Sequence, residues 1–241
     1  MRAVPGFESV STWRQSVPPP ASAARTRLIT DVAARVAAAG PGRLRVAVDG
    51  RTGAGKTSFG HELAAALRQI GRPTARASLD DFKNPWRDAR ERGYDRLSGE
   101  GYYRNAYDFA SARELLLAPA APDGSGRLVL CAHDPLTGED HRDQAISAPA
   151  GTVLVVDSVF AFRPEYNEFW DYRIWLDVDA ELALSRGISR DAAMEGAEEA
   201  ARVHRDRYHA AVRIYLTEAD PRSRADVVID NHDFARPAIR S

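Results

Sequence analysis

The block Val46-Ala47-Val48-Asp49-Gly50-Arg51-Thr52-Gly53-Ala54-Gly55-Lys56-Thr57 constrains this chain more than any other, because it joins an apolar strand to a glycine-rich turn and then to a helix. Gly50-x-x-x-x-Gly55-Lys56-Thr57 fits the Walker A pattern, in which small residues let successive backbone N–H groups curl around a phosphate at the positive end of the next helix. Gly50, Arg51, Thr52, Gly53, Ala54, Gly55, Lys56, Thr57 and Ser58 are therefore the expected contacts to a nucleotide, with Lys56 a mobile charge and Thr57 a hydroxyl for Mg²⁺. The context fits the motif: a strand pattern from Leu44 to Val48 precedes it and a helical pattern from Ser58 to Ile70 follows it.

With 241 residues the chain is long enough for one large α/β domain. Residues 1–23, which include Pro5, Gly6 and Pro18-Pro19-Pro20, are expected to form an irregular arm. Residues 24–241 are expected to form a single domain, with a substrate insert at about 82–150 and a helical lid at about 186–213. A net charge of -1 provides no global basic field, so nucleic acid is not an expected partner. Cys131 is the sole cysteine, which rules out an intrachain disulfide and a Cys-rich zinc site and suits a reducing cytoplasm; a buried small hydrophobe is its expected role. No apolar run approaches about 20 residues, so no membrane span is expected and the expected location is cytoplasmic.

Strand and helix patterns alternate along the chain. A helix is expected from Arg25 to Ala39, where Leu28, Ile29, Val32 and Val36 fall at helical spacing before Gly40-Pro41-Gly42. Strands are expected at Thr74–Leu79, Arg127–Cys131 (with a possible hairpin return), Thr152–Asp157, Tyr172–Val178 and Ala225–Ile229. Asp179 is expected to cap the helix that begins near Ala180, and residues 191–218 are mostly helical in pattern. This alternation predicts a parallel sheet covered by helices on both faces, with the second core strand returning close to the first. Between Lys83 and Phe109, Trp86, Tyr94, Tyr102, Tyr103, Tyr107 and Phe109 lie among Arg and Asp residues without sustained periodicity, as in a long functional insert.

Phosphoryl transfer needs a held phosphate, a metal, a proton acceptor and cations for the moving phosphoryl group. Asp157 ends a Val-rich run, which suits an acid that meets Mg²⁺ directly or through water. Asp80 ends the strand after the glycine-rich block and is the candidate base. Asp81 is either a cap or an orienting neighbour, because adjacent residues do not normally project into one site. Asp49 is read either as a contact to substrate or metal-bound water, or as a structural hydrogen bond to the loop. Arg186 and Arg190, four apart, share a helix face from which they could close over phosphates. Arg207 stands out in the later basic stretch because Tyr208 adjoins it.

Taken in order, several blocks resemble the uridine kinase family of P-loop kinases, in particular its uridine-kinase-like bacterial members. They are Val48-Asp49-Gly50 leading into Gly53-Ala54-Gly55-Lys56-Thr57, Ser78-Leu79-Asp80-Asp81-Phe82, Gly101-Tyr102-Tyr103-Arg104-Asn105-Ala106-Tyr107-Asp108, Val155-Val156-Asp157-Ser158-Val159-Phe160 and Ala225-Asp226-Val227-Val228-Ile229-Asp230-Asn231. The resemblance implies a P-loop kinase fold, ATP as phosphoryl donor with Mg²⁺, and a small-molecule hydroxyl acceptor such as a nucleoside. It also implies Asp80 as base, Asp157 as metal-linked acid, Arg186 and Arg190 in the lid, and Tyr102, Tyr107 and His133 near the acceptor. This chain has Asp157 where a Glu is common, and His133-Asp134-Pro135-Leu136-Thr137-Gly138 departs from a turn that carries a Tyr and a His in established uridine kinases. Alternative readings are a kinase of a sugar, a pantothenate-like compound or another metabolite, and a non-catalytic nucleotide-dependent switch.

Overall fold

A computed structural model of the chain describes residues 5–13, 20–85 and 90–240. Trp86 of the aromatic series, Pro18 and Pro19 lie outside the described residues. Nine strands are described: β1 Gly6–Glu8, β2 Leu44–Gly50, β3 Thr74–Ser78, β4 Arg127–Val129, β5 Ala145–Ser147, β6 Val153–Asp157, β7 Tyr172–Asp177, β8 Val227–Asp230 and β9 Ala238–Arg240. Seven of them form one sheet in the order β1-β3-β6-β2-β7-β8-β9, parallel except for β9. β4 and β5 form a separate antiparallel hairpin.

β6 is buried along its whole length, as its uninterrupted Val-rich run requires of a strand covered on both faces. It lies between β2 and β3, so the second core strand is not beside the first as expected. The chain leaves β2 for β3 on one side, and β7 pairs with β2 on the other. This change of direction opens a crevice at the carboxyl ends of the strands, where open α/β sheets bind ligands.

One sheet face is packed by α1 (Ala23–Ala38) and α2 (Lys56–Gln69), whose Ile29, Val32, Val36, Phe59, Leu63 and Leu67 meet Val46, Val48, Val153 and Val155. The other face carries α3 (Gly99–Asn105) and the last helix of a run near the carboxyl end, with Tyr103, Phe160, Phe162, Trp170 and Tyr215 in its core. That run consists of α4 (Ala180–Glu195), whose Leu182 and Ala183 pack with the first face, α5 (Ala197–Val203), a π-helical turn His204–His209 and α6 (Ala210–Ala219). Asp179 occupies the N-cap position of α4 but does not cap through its side chain; its carboxylate meets His232 instead.

The N-terminal arm departs from the irregular expectation. Gly6–Glu8 extends the sheet as an edge strand paired to Thr74–Arg76 of β3, a long-range contact that local composition does not reveal. No helix among the described residues is long and apolar enough to cross a membrane.

Candidate active site

Between β2 and α2 the backbone must turn sharply, and glycine enables it. Gly55, at φ +90, is the N-cap of α2, while Gly53, at φ +86, lies against α4. A Cβ on Gly53 would stand 2.2 Å from the Ala183 carbonyl oxygen, so both the backbone and the packing require glycine there. The loop is tied down from behind, because Asn231 Nδ2 donates to the Ala54 carbonyl at 2.7 Å and its Oδ1 accepts from the buried Arg25. Lys56 Nζ donates to the Arg51 carbonyl at 2.9 Å. Burial lowers the pKa of that ammonium, against the opposing pull of Asp49, Asp157 and Asp80.

The parallel register sets Asp157 level with Val48 and Ser78 at the carboxyl end of the sheet. Asp157 Oδ2 accepts from the Thr57 hydroxyl at 2.7 Å, and Oδ1 pairs with Arg76 at 2.5 Å in a buried ion pair. Gly60 of α2 makes room for that guanidinium, since a Cβ there would lie 2.8 Å from it. Among the described residues no three His, Cys, Asp or Glu side chains group to hold a metal by themselves. The Thr57 hydroxyl and the Asp157 carboxylate are hard oxygen donors that would suit a Mg²⁺ ion.

After β3 the chain enters a 3₁₀ turn, Leu79–Phe82, capped by Ser78, whose hydroxyl accepts from the Asp80 N–H. The turn sends its two acids apart. Asp81 is buried and accepts from the Ser9 hydroxyl at 2.7 Å; burial pushes its carboxyl up to about 6. Asp80 is partly exposed, with Lys83 at 2.9 Å and the Tyr107 hydroxyl at 3.0 Å, both on Oδ1. Burial would raise its pKa, but the charge and hydrogen bond of Lys83, with Tyr107, outweigh it and hold the carboxyl below its usual range. Burial and Asp80 push the Tyr107 phenol well above its ordinary value, so it remains a donor.

These groups meet in a cavity of about 730 Å³, within the range of small-molecule sites. Its lining includes Thr52, Gly53, Gly55, Lys56, Thr57, Ser58, Asp157, Arg186, Asn231 and Phe234. Arg186 is held there by the Asn231 and His232 carbonyls. The same lining includes Asp80, Lys83, Arg96, Tyr102, Tyr107, Arg207 and Tyr208, together with Trp13, Pro135 and Leu136. Arg190 also lines the cavity, and Asp191 grips it through two contacts at 2.6 and 2.9 Å. Asp191 in turn meets the buried His204 at 2.7 Å, so the Arg190 guanidinium is braced by a short polar chain.

Most of the expected site residues therefore converge, and the exceptions have physical causes. Asp49 does not line the cavity: it is fully buried, accepts from the Tyr215 hydroxyl at 2.5 Å and from the Gly50 N–H at 2.6 Å, and burial raises its carboxyl to about 6. Of its two readings, the structural hydrogen bond describes this geometry. His133 is also absent from the lining, because its backbone bridges to Asp140 and turns the chain away, leaving Pro135 and Leu136 at the cavity. Gly50, Arg51 and Ala54 shape the loop from outside the lining.

Arg76, Lys83, Arg96, Trp13, Phe234 and the loop-fastening role of Asn231 were not foreseen. Lys83 stands three residues after Asp80, a spacing at which opposite charges meet on a helical turn, and that signal could have found it. Nothing local marks Arg76 or Trp13, since both reach their positions through long-range strand pairing.

Comparison with known proteins agrees with this arrangement. Residues 46–231 match the family model described as Phosphoribulokinase / Uridine kinase family. No curated protein matches the chain. Among solved structures, a proposed fructose transport system kinase from Silicibacter sp. TM1040 aligns with a TM-score of 0.62 and 21% identity, over 79% of this chain and 95% of that one. A proposed uridine kinase from Bacillus stearothermophilus aligns with a TM-score of 0.60 and 22% identity, over 86% of this chain and 98% of that one. At these identities the likeness is one of fold.

Proposed function

We propose, for a chain that belongs to the phosphoribulokinase/uridine kinase family, an ATP-dependent kinase that phosphorylates a hydroxyl of a small molecule. The observation that carries this reading is the shared cavity: the phosphate loop, Lys56, Asp80, Arg190 and the tyrosines Tyr102, Tyr107 and Tyr208 all line one space.

In this reading the ATP phosphates lie on the backbone of Gly53 to Ser58, with Lys56 and Arg190 balancing charge as it spreads over the transferring oxygens. Mg²⁺, held through Thr57 and Asp157, neutralises phosphate charge when bound. Lys83 and Tyr107 orient Asp80 through Oδ1, which leaves Oδ2 to accept a hydrogen bond from the acceptor hydroxyl. As the acceptor oxygen forms its bond to the γ-phosphorus and the bond to ADP breaks, the hydroxyl proton passes to Asp80. A low carboxyl pKa suits a loose transition state, in which the proton is transferred late. Arg186 and Phe234 line the same cavity, and in this reading they meet the nucleoside part of ATP.

A nucleoside or sugar fits a site with tyrosine hydroxyls and ring faces, and the fold neighbours include proposed kinases of both kinds. A cytoplasmic location accompanies the use of ATP. ADP release screened against nucleosides, sugars and hydroxy acids tests the proposal: release that depends on one acceptor class is expected. Saturable nucleotide binding with no product from any acceptor would instead favour a nucleotide-dependent switch.

A further inference from the structure

The N-terminal arm is fastened beside the Asp80 turn and the 133–138 turn, and the fastening uses two buried acids. β1 pairs with β3, which sets Ser9 beside Asp81. The Asp81 carboxylate accepts from the Ser9 hydroxyl, while its backbone carbonyl accepts from the N–H groups of Ala132 and His133. Asp81 thus joins the arm to the start of the 133–138 turn. Asp134, 1% exposed, repeats the arrangement one step further along: its Oδ2 accepts from the Thr12 N–H at 2.5 Å and its Oδ1 from the N–H groups of Leu136 and Thr137 at 2.9 and 2.8 Å. Buried carboxylates are expensive unless hydrogen-bonded, and both of these acids accept hydrogen bonds from the arm. Trp13, the next residue, lines the same cavity as Pro135, Leu136, Asp80, Lys83 and Tyr107.

We propose that the arm is a built part of the acceptor site, and that Trp13 is a specificity-determining residue that packs against the carbon skeleton of the bound acceptor. This inference rests on the kinase reading above. An indole offers a broad, rigid apolar face at little conformational cost, while Tyr102, Tyr107 and Tyr208 in the same lining offer hydroxyls to the polar groups of the acceptor. Such a contact binds ground state and transition state alike. It therefore lowers the KM for the acceptor and leaves kcat and the KM for ATP unchanged.

Steady-state kinetics on the full chain, using the acceptor that supports the greatest ADP release in the panel, test this directly. Trp13→Ala is expected to raise the acceptor KM about tenfold, with kcat and the ATP KM within about twofold of the starting protein. Trp13→Phe is expected to recover most of that loss, and the thermal midpoint of both variants is expected to stay unchanged because Trp13 is only partly buried. An unchanged acceptor KM in Trp13→Ala overturns the inference and leaves the kinase reading intact. A parallel rise in both KM values, or a lowered midpoint, also overturns it by making Trp13 a general structural residue. Absence of product from every acceptor in the unmodified protein overturns the kinase reading, and this inference with it.

Discussion

Asp80 and Lys83 form the pair on which the proposed chemistry turns. Lys83 lies 2.9 Å from Asp80 and also stands over the Tyr102 and Tyr107 rings, at 5.7 and 5.6 Å. Its own ammonium is stabilised, because Asp80 and the tyrosines outweigh burial and raise its pKa. Lys83 holds the Asp80 carboxyl low, so Lys83→Met should raise the Asp80 pKa and move the acidic limb of the kcat/KM profile to higher pH. A pH–rate series on the two proteins measures this. Asp80 was legible in the sequence as an acid at a strand end, as was Asp157. The direction of Asp49 was not, because whether an acid beside a loop faces solvent or core depends on Tyr215, 166 residues away.

The phosphate loop and α4 work as one element. Gly53 touches Ala183, and Gly187 touches the His204 ring, where an added Cβ would meet ring atoms at 2.3 and 2.5 Å. The loop, α4 and the π-helical turn are therefore stacked through two glycines. Gly53→Ala strains a backbone at φ +86 and also collides with α4, so nucleotide affinity should fall more than about tenfold by calorimetry. The core strands could be read from Val-rich runs with an acid at the end. The π-helical stretches Arg113–Leu117 and His204–His209 could not, because their sequences have ordinary helical composition and tertiary packing selects the wider turn. The insertion of β6 between β2 and β3 was equally hidden, since strand order is a property of the assembled sheet.

At the scale of the whole molecule, two buried acids make stability depend on pH. Asp49 and Asp81 both have carboxyls raised to about 6 from an ordinary 3.8. The folded state therefore binds protons that the unfolded chain has released. Their contribution is fully present below pH 3.8 and is lost as pH rises through about 6. For Asp81 the loss is on the order of 3 kcal/mol at neutral pH. Asp81→Asn retains an oxygen for Ser9 and removes the titration, so its thermal midpoint relative to the starting protein should rise between pH 4 and pH 8. Thermal unfolding at both pH values measures the difference.

The same molecule brings the phosphate loop, the Asp80 turn, α4 and the arm to one crevice, and the central claim is that this crevice transfers a phosphoryl group to a proton-donating hydroxyl at Asp80. Asp80→Asn tests it most directly, because the amide fills the same space and takes no proton. Calorimetry should show ATP affinity within about threefold of the starting protein, while acceptor-dependent ADP release falls by at least about a hundredfold. Near-normal turnover in Asp80→Asn would contradict the account.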